Sequence, residues 1–306
     1  MEKPSPVKSN RENPSRADGG SGGAPMIDMR SLAGERWPAP EWHFDCIEKE
    51  ATCAESKERM MRVIRRMGDQ QVPDYSSIDW DAELAAFGEL EFPNYYRQPF
   101  HSVPGGYLSE AAAVGDRRAM ESIYQDAHPQ RSLGIRAELA ALIPAQAKRV
   151  VDLGAGTGDG AAAIARRLPD AEVTALEVSP FMIVAGRLQN ADVPNFHFVQ
   201  GLAEATEFAD ASMDAVAITL VFHECPNKIK RDILREAHRI LRPGGTVVLT
   251  DTPNDDLHGF RGFYEPYKEE WLDFDPGAFL HETGFTDVAS HDVAPPLWSR
   301  VARRAA

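Results

Sequence analysis

Val150-Val151-Asp152-Leu153-Gly154-Ala155-Gly156-Thr157-Gly158-Asp159-Gly160 carries an apolar strand, with an acid near its end, into a glycine-rich turn and then a helix. Glycines at 154, 156 and 158 let the main chain reverse and approach a ligand closely, because a Cβ there would block positive φ or fill the ligand's space. The helix that follows aims unsatisfied N–H groups at whatever sits in the turn. A second acid, Glu177, ends the next apolar run. A carboxylate there suits two adjacent ligand hydroxyls, since its oxygens can accept both bonds. His223, in Leu220-Val221-Phe222-His223-Glu224-Cys225-Pro226, lies just past a later apolar run. Its ordinary pKa near neutrality makes it a candidate general base, and orienting the loop or Glu224 is the alternative role.

Spacing narrows the ligand. A phosphate-cradling loop that ends in Gly-Lys-Ser/Thr is absent. A dinucleotide fingerprint wants glycine at its first, third and sixth positions, and here those are Gly154, Gly156 and Asp159. An acid at the last position would face a pyrophosphate, which disfavours a nicotinamide-dependent oxidoreductase.

The elements that must position these residues can be read from periodicity. Short apolar runs at 149–153, 172–177, 195–200, 214–221 and 245–251 alternate with helical patterns, the signature of a parallel sheet with crossover helices. The first helix places Ala161, Ile164, Ala165 and Leu168 on one face and stops at Pro169. The second opens with Ser179 as N-cap and Pro180 at its first position. A third, over 227–241, is closed by Arg242-Pro243-Gly244-Gly245. Residues 276–285 read as a helix, and 287–293 and 298–302 as strands.

In order along the chain, Val151-Asp152-Leu153-Gly154-Ala155-Gly156-Thr157-Gly158, Glu177, Asp214-Ala215-Val216-Ala217-Ile218-Thr219 and Leu241-Arg242-Pro243-Gly244-Gly245-Thr246 resemble the signatures of class I S-adenosylmethionine-dependent methyltransferases. The resemblance covers about residues 130–290. It implies a three-layer, doubly wound, mostly parallel seven-stranded sheet of Rossmann-like type, with S-adenosyl-L-methionine as cofactor and methyl transfer to a small organic acceptor at oxygen or carbon. It also implies cofactor contacts by Asp152, Gly154, Ala155, Gly156, Thr157, Gly158, Glu177, Val178, Met182, Gly201, Leu202, Ala203 and Thr219. One departure stands out: Gly201-Leu202-Ala203-Glu204 replaces a Gly-Asp-Ala whose acid reads the adenine amine. Leu202 and Ala203 are therefore expected to contribute only backbone and packing contacts, leaving the amine to a backbone carbonyl or to Glu204. A non-catalytic scaffold that keeps the fold is the rival from another class.

Upstream, residues 1–36 are rich in Pro, Gly, Ser and Asn and read as a disordered arm. Residues 37–129 read as a helical cap, with helical patterns at 45–67, 80–89 and 109–126, and 130–306 as the cofactor-binding domain, entered by a helix at 132–143. Tyr95, His101 and Tyr107 of the cap are candidates for shaping an acceptor site. The aromatic run Phe260, Phe263, Tyr264, Tyr267 and Trp271 lines either a pocket or the core, since its helical spacing suits both.

Composition excludes other partners. Net charge is −14 over 306 residues, and residues 1–40 hold bases and acids in near balance, so the acidity belongs to the body of the chain. Such a surface argues against nucleic acid. No apolar run is long enough for a membrane span, which leaves a small-molecule acceptor as the expected partner. Cys46, Cys53 and Cys225 have neither metal-ligand spacing nor an even count. They suggest a reducing, cytoplasmic setting without a metal.

Overall fold

The computed structural model describes residues 73–87, 92–98, 100, 106–127, 134–254, 266–294 and 297–305. The arm at 1–36 and the helix at 45–67 lie outside these residues. Seven strands, β1 (Arg149–Leu153), β2 (Glu172–Glu177), β3 (Phe196–Gln200), β4 (Met213–Thr219), β5 (Leu241–Asp251), β6 (Phe285–Ala294) and β7 (Leu297–Arg304), form one sheet. Their order is β3-β2-β1-β4-β5-β7-β6. The first five are parallel, and β7 runs antiparallel to both β5 and β6. Successive connections go outward to β3 and then back across to β4. The crevice this reversal opens at the carboxyl ends of β1 and β4 is where open α/β sheets take their ligands.

Side-chain alternation explains the three layers. In β1, Val150 faces one side while Val151 and Leu153 face the other; in β4, Ala215 and Ala217 oppose Val216 and Ile218. On the first side these residues meet α4 (Asp159–Arg167) through Ala161, Ile164 and Ala165. On the second they meet α6 (Asn227–Ile240) through Ile233, Leu234, Ala237 and Ile240, with Phe279 and Leu280 of α8 (Pro276–Glu282). Strands buried on both faces need apolar residues at every position, which is why they read as continuous runs. Ser179 caps α5 (Pro180–Gln189) by accepting from the Met182 N–H, with Pro180 at the first helical position. Asp275 and Pro276 start α8 in the same way.

Further helices precede the sheet: α1 (Trp80–Leu84), α2 (Glu110–Ala127) and α3 (Gly134–Ala140), with α7 (Lys268–Leu272) after β5. Among the described residues no helix is long and apolar enough to cross a membrane. Several bounds shift, and the open choice for Trp271 closes: the fifth strand begins at Leu241 rather than 245, α1 ends at Leu84 rather than 89, and α8 at Glu282 rather than 285. β4 stops at Thr219 rather than 221 because Leu220 takes φ +59, turning the chain into a short 3₁₀ segment, Phe222–Glu224. Trp271 belongs to the core, being 1% exposed and stacked against Phe274 and Trp298. Phe260, Phe263 and Tyr264 lie outside the described residues.

Candidate active site

A cavity of about 220 Å³ opens at the carboxyl ends of β1, β2, β3 and β4. Its wall brings together Asp152, Gly154, Ala155, Gly156, Thr157, Glu177, Val178, Met182, Gly201, Leu202, Ala203, Thr219 and His223. Gly158 is not part of that wall. At φ +78 its missing Cβ leaves room for the rings of Phe196 and Phe198, so this glycine serves the turn and its packing. Gly156 is the one open to the cavity: at φ +56 an added Cβ would meet only Met182 Cε, at 3.7 Å.

Asp159, the acid at the position where a dinucleotide turn wants glycine, is likewise absent from the wall. As the first residue of α4 it turns back into the protein, where Gln189 Nε2 donates to it at 2.7 Å. Arg117 and Arg136 approach its other oxygen at 3.7 and 3.8 Å. Its charge is thus neutralised inside the fold.

Two carboxylates end adjacent strands. Asp152 is 2% exposed, and its Oδ1 is buried with no hydrogen-bond partner. Burial pushes its pKa up to about 7 despite the nearby Arg136, and the Glu177 charge adds to the rise. Glu177, 4% exposed, accepts from Gly156 N at 2.8 Å, Ser179 N at 2.9 Å and the Tyr96 hydroxyl at 3.0 Å. Burial raises its pKa too, opposed by these donors. Asp116, on α2, also lines the cavity; it accepts from the Thr157 hydroxyl at 3.0 Å, and burial pushes its pKa up to about 6.

Over the strand ends lies an aromatic strap from residues 92–98, 100 and 106–107. Tyr95 donates to Glu204 at 2.7 Å, and Tyr107 to Glu224 at 2.5 Å. Ser179 Oγ donates to the Tyr107 carbonyl at 2.7 Å, fastening the strap to α5. Tyr95, Tyr96, Phe100 and Tyr107 all line the cavity; His101 lies outside the described residues. Glu204 does not line it, and its Oε2 is buried without a hydrogen bond.

His223 is buried between two acids, with Nδ1 2.7 Å from Asp251 Oδ1 and Nε2 3.4 Å from Glu224 Oε1. Burial alone would depress the imidazole pKa, but the Asp251 and Glu224 carboxylates hold it well above its ordinary value. Asp251 is itself fixed by the backbone N–H groups of Phe222 and Thr252, at 2.9 and 2.7 Å. With Nδ1 set against Asp251 and Nε2 toward Glu224, the ring is placed for the orienting role that the sequence offers beside the general base.

Tyr96, Asp116, Arg136, Glu224 and Asp251 join the wall or its support without having been singled out for it. Asp251 had a signal, as an acid ending an apolar strand beside the His223 loop. Asp116 and Arg136 had none, because their helices precede β1 and only packing brings them to the turn.

This Rossmann-like sheet, with a ligand cavity at its switch point, agrees with what comparison with known proteins finds. A methyltransferase-domain family matches residues 150–245. Uncharacterized methyltransferase sll0829 of Synechocystis sp. is 31% identical over 163 residues, 50% of this chain and 73% of that protein. Ubiquinone/menaquinone biosynthesis C-methyltransferase UbiE of Dinoroseobacter shibae is 34% identical over 130 residues, 41% of this chain and 51% of that protein. The chain spans about half the length of UbiE and of the demethylmenaquinone methyltransferase of Listeria welshimeri. Human N-acetylserotonin methyltransferase, solved with S-adenosylmethionine, shares the fold at a TM-score of 0.54 with 16% identity, over 80% of this chain and 70% of that one. The chain belongs to the class I S-adenosylmethionine-dependent methyltransferases.

Proposed function

We propose that this protein transfers the methyl group of S-adenosyl-L-methionine to a small organic acceptor, at oxygen or carbon. The observation that carries the reading is Asp152, which lines the same cavity as the open Gly156 and the carboxylate of Glu177 and whose buried Oδ1 has no hydrogen-bond partner. A ligand with a cationic end and a neighbouring diol answers both acids. The names of the UbiE and demethylmenaquinone relatives support a carbon acceptor.

When bound, the cofactor supplies a methyl group on sulfonium, already activated for displacement. The protein's work is then alignment and exclusion of water. Asp152, with Asp116 nearby, would hold the ammonium end and Arg136 the carboxylate. Glu177 would accept from the ribose hydroxyls. Val178, Met182, Leu202 and Ala203 would flank the adenine, while Gly154, Ala155, Thr157, Gly201 and Thr219 shape the wall around it. The charged His223, backed by Asp251, would orient Glu224 and lower the pKa of an acceptor hydroxyl set against it. Residues 37–129 act as the cap on a cofactor domain spanning 130–306, and the described strap over the strand ends supports that division.

Calorimetric titration tests the reading. S-adenosylmethionine should bind the protein and bind Glu177→Ala about 100-fold or more weakly, and binding of NADH in its place would defeat the proposal. Incubation with methyl-labelled cofactor and cell extract should then mark one metabolite, identifying the acceptor.

A further inference from the structure

An ionised carboxylate offers about four acceptor positions. At Glu177, Gly156 N and Ser179 N take two of them from the main chain. The Tyr96 hydroxyl takes a further position from the cavity side, at 3.0 Å. The main-chain donors are built into the turn and the start of α5. Tyr96 is different, since it arrives from the strap and only its side-chain rotation or strap movement is needed to remove it. A diol needs two cavity-side positions on this carboxylate, and Tyr96 holds one of them.

We propose that the Tyr96 hydroxyl is an internal stand-in for a ligand hydroxyl. It satisfies Glu177 from the cavity side, and a diol-bearing ligand binds only by displacing it. This rests on the reading of Glu177 as the diol acceptor. The bond is charge-assisted and sheltered from water, so it competes strongly. Its ring is flanked by Phe92, Phe100 and Tyr107 at centroid distances of 6.5, 6.3 and 6.3 Å, which hold the hydroxyl in place. Two more tyrosines anchor the strap to Glu204 and Glu224, so breaking the Tyr96 contact does not by itself release it. Tyr96 therefore lowers the apparent affinity for the cofactor by the fraction of molecules in which it has moved aside. It also discriminates, because a nucleoside lacking the diol leaves the Tyr96 bond in place and gains nothing from Glu177.

The test compares the full chain with Tyr96→Phe, titrating S-adenosylhomocysteine and its 2′,3′-dideoxy counterpart by calorimetry. The variant should bind S-adenosylhomocysteine at least about three-fold more tightly, with no gain for the dideoxy ligand. Equal or weaker binding of S-adenosylhomocysteine, or the same gain for both ligands, overturns the proposal. Should the protein with Tyr96 in place bind neither ligand, the diol reading of Glu177 falls first, and that outcome is separate from a failed gain in the variant. A second measurement avoids any folding defect of the variant. With 3-fluorotyrosine at position 96, the fluorine resonance should shift on adding S-adenosylhomocysteine, and an unmoved resonance at saturation overturns the displacement.

Discussion

Asp152 and Glu177 close neighbouring parallel strands, line one cavity and are almost equally buried, yet they are held in opposite ways. Glu177 is well supplied: main-chain donors of the turn and of α5, plus Tyr96, converge on it. Asp152 keeps one oxygen with no partner at all. A well-supplied carboxylate braces the fold, because each donor that points to it would be orphaned without it. An unsatisfied one costs stability as long as nothing answers it, and that deficit is returned when a cationic ligand arrives. The difference separates a residue whose loss damages both fold and binding from one whose loss damages binding alone.

Removing Glu177 should have the largest effect. In Glu177→Ala the Gly156 and Ser179 N–H groups lose their acceptor, and the diol loses two charge-assisted bonds. Two such bonds are together worth about 3 kcal/mol or more, so affinity for S-adenosylmethionine should fall by about 100-fold or more. The melting temperature should fall with it. Glu177→Gln, which keeps one carbonyl acceptor, should recover part of both in calorimetry and thermal melts. An alanine variant with full stability would break the comparison.

Asp152→Asn should separate the two properties. Binding of S-adenosylmethionine should weaken by about 10-fold, the loss of one charge-assisted contact, while stability at neutral pH rises. The sign follows from the raised pKa. Between the ordinary carboxylate range and about 7 the folded state holds a proton on Asp152 that the unfolded chain has lost. Its stabilising contribution is therefore present in acid and disappears as pH rises through about 7. Chemical denaturation should show stability falling across that window in the parent protein and not in the variant. Cofactor affinity, which needs the ionised acid, should rise over the same window only in the parent.

Gly156→Ala comes next. The new Cβ would sit in the cavity with only Met182 Cε in contact, at φ +56. Affinity should drop several-fold, with about 1 kcal/mol lost from stability as backbone strain. Gly158→Ala should do the reverse, since its Cβ would come within 2.6 Å of the Phe198 ring. Titration and melting of both variants check the contrast.

The strand–helix alternation, the turn and Glu177 were legible because each depends on local patterns: short continuous apolar runs, glycine spacing and an acid at a strand end. Reading failed where a side chain's direction is set by packing from elsewhere. Asp159 reads in the sequence only as an acid that a pyrophosphate would meet, whereas the first residue of α4 points back toward Arg117, Arg136 and Gln189, which α2, α3 and α5 supply. Gly158 was assigned to the ligand, and Phe196 and Phe198 claim its space. Tyr96 sits beside Tyr95 in the sequence, and only the fold reveals that their hydroxyls reach different glutamates.

Asp116 tests whether bonding, rather than position, decides these effects. It shares the cavity with the other acids but has an intermediate standing, accepting only from the Thr157 hydroxyl among the bonds resolved for it. If the supply of donors governs the fold and bareness governs binding, then Asp116→Asn should do little to either, because the amide oxygen still accepts from Thr157. Affinity for S-adenosylmethionine should fall by no more than about three-fold, the scale of a weak water-exchanged contact. Burial raises its pKa to about 6, so it too stabilises in acid and loses that contribution as pH rises through about 6, a step lower than for Asp152. The stability profile of Asp116→Asn should keep the fall near 7 and lose the one near 6. A ten-fold loss of affinity would instead mean that Asp116 shares the ammonium equally with Asp152, and the contrast would become one between the two ends of the cavity.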